Sequence, residues 1–536
     1  MPGRGSARHG ARRRRLRRGS VRAVAACPVG ERLASGSARL LPGSLAGEDV
    51  KKILLALVAM LAVLVAVLLG RTLTVAAPVA PAAPSEVRTV DGDAVASRLA
   101  EAIRFRTISH QDRDAFDPAP FEGFVEWVES TYPRLAGALT REIVNDHSLL
   151  FTWEGSDPRL APILLTGHHD VVPVIPGTEG KWTHPPFDGV VADGYVWGRG
   201  ALDDKSAVIA LLEATTLLVE EGFRPARTVY LAFGHDEEIG GADGAGAIVA
   251  RLRSGGVQLA WSLDEGSFLL AGILPGLDVP VASINVAEKG YVSIDLVASG
   301  EGGHSSMPPR QTAVGVLAAA IVALESEPMP GAVEGLSAEM FDALAPHVPF
   351  AARIVLANRW LFGGLLESVL SARPTTNAMV RTTTAATMLS GSIKENVLPI
   401  EAVGTVNFRL HPRDTVDDVV AHVTSVIDDE RIEVRPGEKG GAASEVSSTT
   451  SEGYALIGNA VRSIEPDAIV VPGLTVGGTD SRHYGQIADD AYRFNPMVVT
   501  TADAAGFHGT NERISIDNLV RATRIYARLI ELGAAP

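Results

Sequence analysis

The chain has 536 residues, 46% of them hydrophobic and 21% charged, which excludes an intrinsically disordered or fibrous protein. Its one cysteine, Cys27, excludes intrachain disulfides and any metal site built from several thiolates. The formal net charge is −15, but residues 1–52 carry 13 Lys and Arg against 3 Asp and Glu, whereas the remainder carries 35 against 60. So acidic a body matches nucleic acid poorly, and we expect no nucleic-acid partner.

The N-terminal part predicts a basic tail followed by a membrane helix. Residues 1–52 contain the cluster RRRRLRR and are typical of a disordered segment. The next 17 residues, ILLALVAMLAVLVAVLL at 53–69, are all apolar. As a helix they would reach about 25 Å, the short end of what spans a bilayer. Because the run has no polar face, we predict a transmembrane signal anchor over 53–70, with a cleaved signal peptide as the alternative.

The charges around this run predict the topology of the chain. Lys51 and Lys52 precede it, which favours a cytoplasmic N-terminus and an extracytoplasmic body, or secretion if the segment is cleaved. Residues 71–90 include AAPVAPAAPSE and are predicted to be a stiff Pro/Ala linker.

The body begins near residue 91 with a pattern typical of an α/β domain. Apolar runs at 163–166, 228–233 and 259–263 are predicted strands, and 206–222 has the spacing of a helix. This alternation predicts a mainly parallel central sheet with helices on both faces. We assign residues 91–286 and 441–536 to this domain, the last part ending in a helix over 516–532.

A different pattern predicts an inserted α+β domain over residues 287–440. The segments 291–299 and 401–412 alternate apolar and polar residues as antiparallel strands do. Helical stretches at 313–326 and 414–429 accompany them. The apolar residues at 350–370 are expected to pack as core, with a lipophilic channel as the alternative.

Acidic and imidazole side chains recur where this interpretation places strand ends. The five motifs are GHHD (167–170), DD (203–204), HDEE (235–238), DE (264–265) and HGTNE (508–512). Each alone has an ordinary explanation; the DD pair, for example, is typical of a helix N-terminus. Together they predict one crevice at the carboxyl ends of the strands, where the carboxylates would repel each other without a cation. Oxygen and imidazole ligands without thiolates favour zinc, with manganese or cobalt as alternatives.

The ordered motifs GHHDVVP, GRGALDDK, GHDEEIGG, LDEG and HGTNE resemble those of the dizinc metallopeptidase and amidohydrolase family. That family includes aminoacylase, carboxypeptidase S, and the acetylornithine and succinyl-diaminopimelate deacylases. The resemblance covers roughly residues 95–530 and is densest to the carboxypeptidase S and N-fatty-acyl-amino-acid synthase/hydrolase branch. It implies a zinc-peptidase-type catalytic domain, an inserted lid and dimerisation domain over 287–440, and a homodimer.

The resemblance also implies roles for single residues. It implies two zinc ions per chain, held by five ligands: His168 and Asp264 on one ion, Glu238 and His508 on the other, and Asp203 bridging both. Asp170 would orient His168 as its hydrogen-bond partner, and Glu237 would be the general base. His169 occupies a variable slot of its motif and is expected not to bind metal.

Three residues of the inserted domain complete the expected site. The resemblance implies that His304 stabilises the oxyanion, reaching in from the other subunit of a dimer. Arg409 is our candidate for binding a substrate carboxylate, and Asn396 and the loop 477–482 are further pocket candidates.

The implied activity is zinc-dependent hydrolysis of an amide bond next to a free carboxylate, in an N-acyl amino acid or at a peptide C-terminus. The alternatives are an aminopeptidase or dipeptidase of the same family, and a non-catalytic binding protein on the same fold. The presence of Glu237 argues against the last alternative, because a binding protein has no chemical need for a base.

Overall fold

The computed structural model describes residues 47–76, 88–272, 277 and 279–535. Outside this part of the chain lie residues 1–46 of the predicted basic tail, which include Cys27, and residues 77–87 of the predicted linker. The chain divides into two compact units, Met1–Leu64 and Val65–Pro536.

The α-helices of the described residues are α1 (Gly47–Leu73), α2 (Gly92–Arg104), α3 (Ala119–Thr131), α4 (Lys205–Glu220), α5 (Ala245–Ser254), α6 (Ala313–Ser326), α7 (Leu336–Leu344), α8 (Phe350–Ala357), α9 (Arg359–Ser371), α10 (Pro374–Ala378), α11 (Val416–Ile427), α12 (Glu452–Ile464), α13 (Ser481–Tyr484), α14 (Thr501–Ala504) and α15 (Ile516–Gly533).

The strands are β1 (Thr140–Val144), β2 (Ser148–Trp153), β3 (Ile163–His168), β4 (Val190–Ala192), β5 (Tyr195–Trp197), β6 (Val229–Gly234), β7 (Leu259–Asp264), β8 (Leu269–Leu270), β9 (Val281–Glu288), β10 (Gly290–Ser299), β11 (Gly303–His304), β12 (Thr383–Ser390), β13 (Val397–Leu398), β14 (Glu401–Leu410), β15 (Ile432–Gly441), β16 (Ile469–Thr475), β17 (Ala488–Arg493), β18 (Val498–Val499) and β19 (Arg513–Ser515).

Helix α1 contains the predicted apolar run and extends beyond it at both ends. Most of its large apolar side chains are exposed, for example Leu55 and Leu61. Among single helices in the described residues, it alone, over Glu48–Leu73, is long and apolar enough to cross a membrane.

The main sheet is mixed, which corrects the prediction of a mainly parallel sheet. Its strand order is β1-β2-β6-β3-β7-β17-β9-β8-β18, with β16 beside β9. The middle strands β6, β3, β7 and β17 are parallel, as expected, but β1–β2, β2–β6, β17–β9 and β8–β9 are antiparallel. At one edge the cause is a tight hairpin whose turn residues Asn145 and Asp146 adopt φ of 49° and 68°.

Helices cover both faces of this sheet, as the alternation of its side chains requires. In β3, Ile163 and Leu165 pack into a core with α2, α4, α12 and α15. Leu164 lies between them in sequence and points to the opposite face, where it packs with α5 and Tyr484 of α13.

A second, antiparallel sheet has the order β12-β14-β10-β15. Helices α6 and α11 cover one face of it and form a separate core with β10 and β14. The strands and helices predicted for this region therefore occur within a few residues of their expected positions. The role of this part as a lid or dimerisation domain stays a prediction.

The segment 350–370 differs from its expected role as core. It forms α8 and α9, in which Leu356 is the buried hydrophobic residue and α9 contributes none. Trp360, Leu361, Leu365 and Val369 are exposed. Apolar composition alone does not say which side of a helix meets the protein.

Candidate metal centre

Three neighbouring parallel strands bring the predicted motifs to one edge of the main sheet. His168 is the last residue of β3 and lies opposite Gly234, the last residue of β6. The HDEE motif begins directly after Gly234. On the other side of β3, β7 ends at Asp264. The three following loops therefore start side by side at the carboxyl ends of their strands.

Two groups of metal-ligating atoms lie at this edge, and they share Asp203. In the first group, Nε2 of His168 is 3.2 Å from Oδ1 of Asp203 and 3.7 Å from Oε1 of Glu265. In the second, Nε2 of His508 is 3.1 Å from Oδ2 of Asp203 and 3.2 Å from Oε2 of Glu238. Within each group the ligand atoms lie within 4.8 Å of one another. Asp203 offers one oxygen to each group, which is the arrangement of a bridging carboxylate.

The first group contains Glu265 where Asp264 was predicted. Asp264 ends β7 and its Oδ1 accepts a hydrogen bond from the backbone N–H of Glu265 at 2.9 Å. Consecutive side chains at a strand end point in different directions, so only one of two adjacent acids turns toward His168. In this geometry Glu265 belongs to the donor group of His168, and the role of Asp264 as a ligand stays a prediction.

Asp170 joins the first motif to the third. Its Oδ1 lies 3.2 Å from Nδ1 of His168, and its carboxylate also accepts a hydrogen bond from Ser109. The backbone N–H groups of Glu237 and Glu238 donate to it at 3.1 and 3.2 Å. Although burial opposes ionisation, the hydrogen bonds from His168 and Ser109 hold the pKa of Asp170 below its usual value.

Glu237 lies beside Glu238 but belongs to neither donor group. Burial raises the pKa of its carboxyl well above the usual value, the His168 side chain opposes this rise, and Asp480 adds to it. His169 is also outside both groups, as expected. It stacks on Phe124 at 4.6 Å, and burial lowers its pKa to about 3.

A buried ion pair, which sequence reasoning missed, connects the second motif to the fifth. Arg199 and Glu512 are 2.5 Å apart and almost fully buried. Glu512 accepts hydrogen bonds from the backbone N–H groups of Leu202 and Asp203, and Arg199 donates to the backbone carbonyl of His508. The pair therefore fixes the backbone at two of the ligand positions. The sequence feature that points to this ion pair is Glu512, the last residue of the HGTNE motif, which has no role among the predicted ones.

The loop 477–482, expected to border the pocket, packs on the loop that carries Glu238. Asp480 is 3% exposed and neither of its carboxylate oxygens has a hydrogen-bond partner. A Cβ atom at Gly241 would lie 1.9 Å from Asp480 Oδ1, so glycine is required there for this close approach.

The residues present fit a pair of divalent cations. Among the described residues, Oε1 of Glu238 is buried and has no hydrogen-bond partner. Burial raises the pKa of Glu265 well above its usual value, and the charge of Asp203 raises it further. Cations between these groups would offset both effects. The DD pair does lie at a helix N-terminus, as its ordinary explanation expects, because Asp204 is the N-cap residue of α4; among the described residues, however, its side chain makes no capping hydrogen bond.

Comparisons with known proteins show the family to which the chain belongs. The family model described as "Peptidase family M20/M25/M40" matches residues 164–532. The chain belongs to the M20 peptidase family. It is therefore a hydrolase of a metal-dependent family, typically zinc-dependent.

Relatives of this M20 enzyme carry names from the expected branch. A probable carboxypeptidase S-like 2 of Dictyostelium discoideum is 40% identical over 82% of this chain and 84% of its own length. The N-fatty-acyl-amino acid synthase/hydrolase PM20D1 of Xenopus tropicalis is 39% identical over 88% of this chain and 93% of its own. The solved structure of an M20 family metallo-carboxypeptidase, Sso-CP2 from Sulfolobus solfataricus, has a TM-score of 0.59 at 18% identity and covers 82% of this chain and 98% of that one. It shows the shared fold.

A cavity of about 800 Å³ in this M20 enzyme contains the predicted carboxylate anchor. Arg409 lies on β14, 5.4 Å from the ring of Tyr291, and both residues line the cavity. Gly240, two residues after Glu238, and Arg482 line it too. The cavity therefore extends to the loop of the second donor group, and the basic side chains of Lys289, Arg482 and Arg493 line it besides Arg409.

His304 and Asn396 lie together in the second sheet region. β11 ends at His304 and pairs with β13, and the N–H of Ser305 donates to the carbonyl of Asn396 at 3.1 Å. His304 is exposed, and in the described part of this single chain neither residue belongs to a donor group. The role of His304 across a dimer and that of Asn396 in the pocket stay predictions.

Proposed function

We propose that this M20 hydrolase is a two-metal amidohydrolase that cleaves amide bonds next to a free carboxylate, as an N-acyl amino acid hydrolase or a carboxypeptidase. The observation that carries the proposal is Asp203, whose two oxygens serve two donor groups while Glu237 stands beside them in neither. Relatives named for carboxypeptidase and N-fatty-acyl-amino acid activities agree with it.

In the proposed site each cation has three protein ligands. His168, Asp203 and Glu265 would hold one, and Asp203, Glu238 and His508 the other. When bound there, a pair of divalent cations supplies a water acidified toward neutral pH and polarises the amide carbonyl.

Glu237 is the proposed general base. Its carboxylate takes the proton of the attacking water and then delivers it to the nitrogen of the leaving amine. The hydrogen bonds from the backbone of Glu237 and Glu238 to Asp170 hold base and ligand in one orientation while Asp170 orients His168.

Substrate binding is proposed to depend on Arg409, which has a planar guanidinium suited to a carboxylate. Its position in the cavity that reaches Gly240 supports this role. His304 is proposed to stabilise the oxyanion from the other subunit of a homodimer formed through the inserted domain, and Asn396 is proposed to border the substrate pocket.

Helix α1 is proposed to anchor the chain in a membrane, with the body on the extracytoplasmic side. Its length, apolar composition and exposed side chains support this. Lys51 and Lys52 at its N-terminal side support the orientation.

The proposal is tested by the substrates that the purified full chain hydrolyses. N-acyl amino acids with a free carboxylate should be cleaved, whereas their C-terminal amides should be cleaved far more slowly. The variant R409A should lose most activity on the free acids and little on the amides. Equal losses on both would show that Arg409 is not the anchor. Preference for peptides with a free N-terminus, indifferent to the carboxylate, would instead indicate an aminopeptidase.

A further inference from the structure

The helix pair α8–α9 presents an unusual surface. The two helices meet at 109°. Taken together they are long and apolar enough to cross a membrane. The pair contains three charged residues, and each is bonded to protein. Arg353 donates to backbone carbonyls of residues 345–348, Arg359 pairs with Asp342, and Glu367 pairs with Arg381. All three charged side chains are thus bound to other protein groups and only partly exposed, whereas the exposed outer side of the pair is mainly apolar.

The outer side of α9 forms one continuous stripe. Its members are Trp360, Leu361, Gly364, Leu365, Ser368 and Val369, at the spacing of one helix face. Trp360, Leu365 and Val369 are 58–60% exposed, and Phe350 at the start of α8 is 49% exposed. A contiguous apolar surface of this kind marks an interaction site rather than chance exposure.

The bend between the helices contacts the end of the predicted membrane helix. Asn358 is fully buried at the bend, and its Nδ2 donates to the carbonyl of Leu68 at 3.2 Å and to Oγ1 of Thr72 at 3.3 Å. Arg71 donates to the carbonyl of Ala357 at 3.2 Å. Leu68 and Arg71 flank the point where the apolar run of α1 ends, which is where a spanning helix leaves the hydrocarbon layer.

We propose that the outer side of α8–α9 is a membrane-docking surface that lies in the interfacial layer of the lipid bilayer spanned by α1. This rests on the membrane anchoring in the proposed function. Three features identify the partner as lipid. The apolar stripe begins with Trp, a residue favoured at the bilayer interface. The charged side chains are bound to other protein groups, and the surface is continuous with the end of α1.

A series of side-chain and backbone contacts connects the docking surface to the cavity that contains Arg409. Glu367 of α9 binds the side chain of Arg381, and the backbone carbonyl of Arg381 accepts a hydrogen bond from Nζ of Lys289 at 2.8 Å. Lys289 lines the cavity that contains Arg409. Docking of these helices would therefore place the cavity near the lipid bilayer, in which amphiphilic acyl substrates dissolve.

The test places a fluorescent label on the surface of the full chain. Cys27 is replaced by serine, a single cysteine is introduced as L365C and labelled with NBD, and the protein is reconstituted into phosphatidylethanolamine–phosphatidylglycerol vesicles. Lipids with a nitroxide near the headgroup should quench the label several-fold more than they quench the matched label S130C, an exposed position on α3. Aqueous iodide should quench the two labels in the opposite order.

Vesicle flotation separates the two proposals. A chain that floats but whose label at 365 is quenched by iodide and not by lipid overturns docking and leaves the anchor intact. A chain that does not float overturns the anchor, and docking with it. A third outcome is that lipid does not quench the label at 365, while in detergent its protection from iodide increases with protein concentration. That result would show that a second copy of the chain covers the surface, and it would also overturn docking.

A charged variant gives an independent measurement. L361C labelled with NBD in the background L365E/V369E should lose most of its lipid quenching, because two carboxylates would have to enter the interface. Hydrolysis of a short-chain soluble substrate should be unchanged in this variant, which shows that it is folded. Undiminished lipid quenching at position 361 would contradict the proposal.

Discussion

At the scale of single residues, the site depends on side chains and backbone groups that hold one another. Asp170 accepts hydrogen bonds from the backbone of Glu237 and Glu238 and contacts His168, so one buried carboxylate holds two proposed ligands and the proposed base. Arg199 and Glu512 do the same for the backbone of His508 and Asp203. Hydrogen-bond networks of this kind fix ligand geometry before any metal arrives.

The role of Glu237 is separable from metal binding. E237Q keeps the shape and the hydrogen bonds of its backbone to Asp170 but cannot accept a proton. We expect kcat to fall by about 10²–10⁴-fold while the metal content stays that of the wild type. Steady-state hydrolysis and elemental analysis on the same preparation measure both. Turnover near that of the wild type would remove Glu237 as the base.

Adjacent acids give a matched pair for the first donor group. E265Q should lose one of the two metal ions, because Glu265 faces His168 at 3.7 Å. D264N should keep both, since Asp264 stands outside the donor group of His168 and its Oδ1 accepts from the backbone. Metal stoichiometry after dialysis is the readout. Loss of an ion from D264N, with none from E265Q, would restore the prediction made from the sequence.

At the scale of elements, the residue after β14 makes the inserted region sensitive to acid. Nδ1 of His411 accepts a hydrogen bond from the backbone N–H of Arg413 at 3.3 Å, and its Nε2 is buried without a partner. Burial, together with the charges of Arg413 and Lys289, lowers the pKa of His411 to about 4. The imidazole of His411 is therefore neutral in the folded protein at neutral pH.

The sign of the resulting pH dependence follows from the lowered pKa. In the unfolded chain His411 titrates at about 6.5, so its contribution to stability is complete above that pH and is lost as the pH falls toward about 4. H411N preserves an acceptor but does not titrate there. Its free energy of unfolding should fall less than that of the wild type between about pH 7.5 and 4.5.

Urea denaturation of both proteins with chelator present excludes a contribution from metal release. Parallel losses of stability in the two proteins would show that His411 is not the group that responds to acid.

The sequence indicated elements best where pattern and topology agree. His168, Asp203, Glu238 and His508 could be predicted because ordered motifs follow strands that meet at one sheet edge. Which of Asp264 and Glu265 joins the donor group of His168 could not be predicted. The two acids are adjacent at the end of β7, and only the direction of each side chain decides. The antiparallel edge of the sheet depends on the turn at Asn145, and the outer side of α9 depends on which partner covers it.

At the scale of the whole molecule, an acidic body surrounds a crevice where a mixed sheet ends, and a second sheet region supplies Arg409 to the adjoining cavity. The two cores are separate, one shared by the main sheet with its helices and one by α6, α11 and the second sheet.

The most direct test of the two-cation centre is elemental analysis of the purified full chain, combined with hydrolysis of an N-acyl amino acid before chelation, after it, and after zinc is returned. The centre predicts close to two divalent ions per chain, activity that disappears with them, and recovery on adding zinc. Less than one ion per chain, or activity that a chelator leaves untouched, would contradict it.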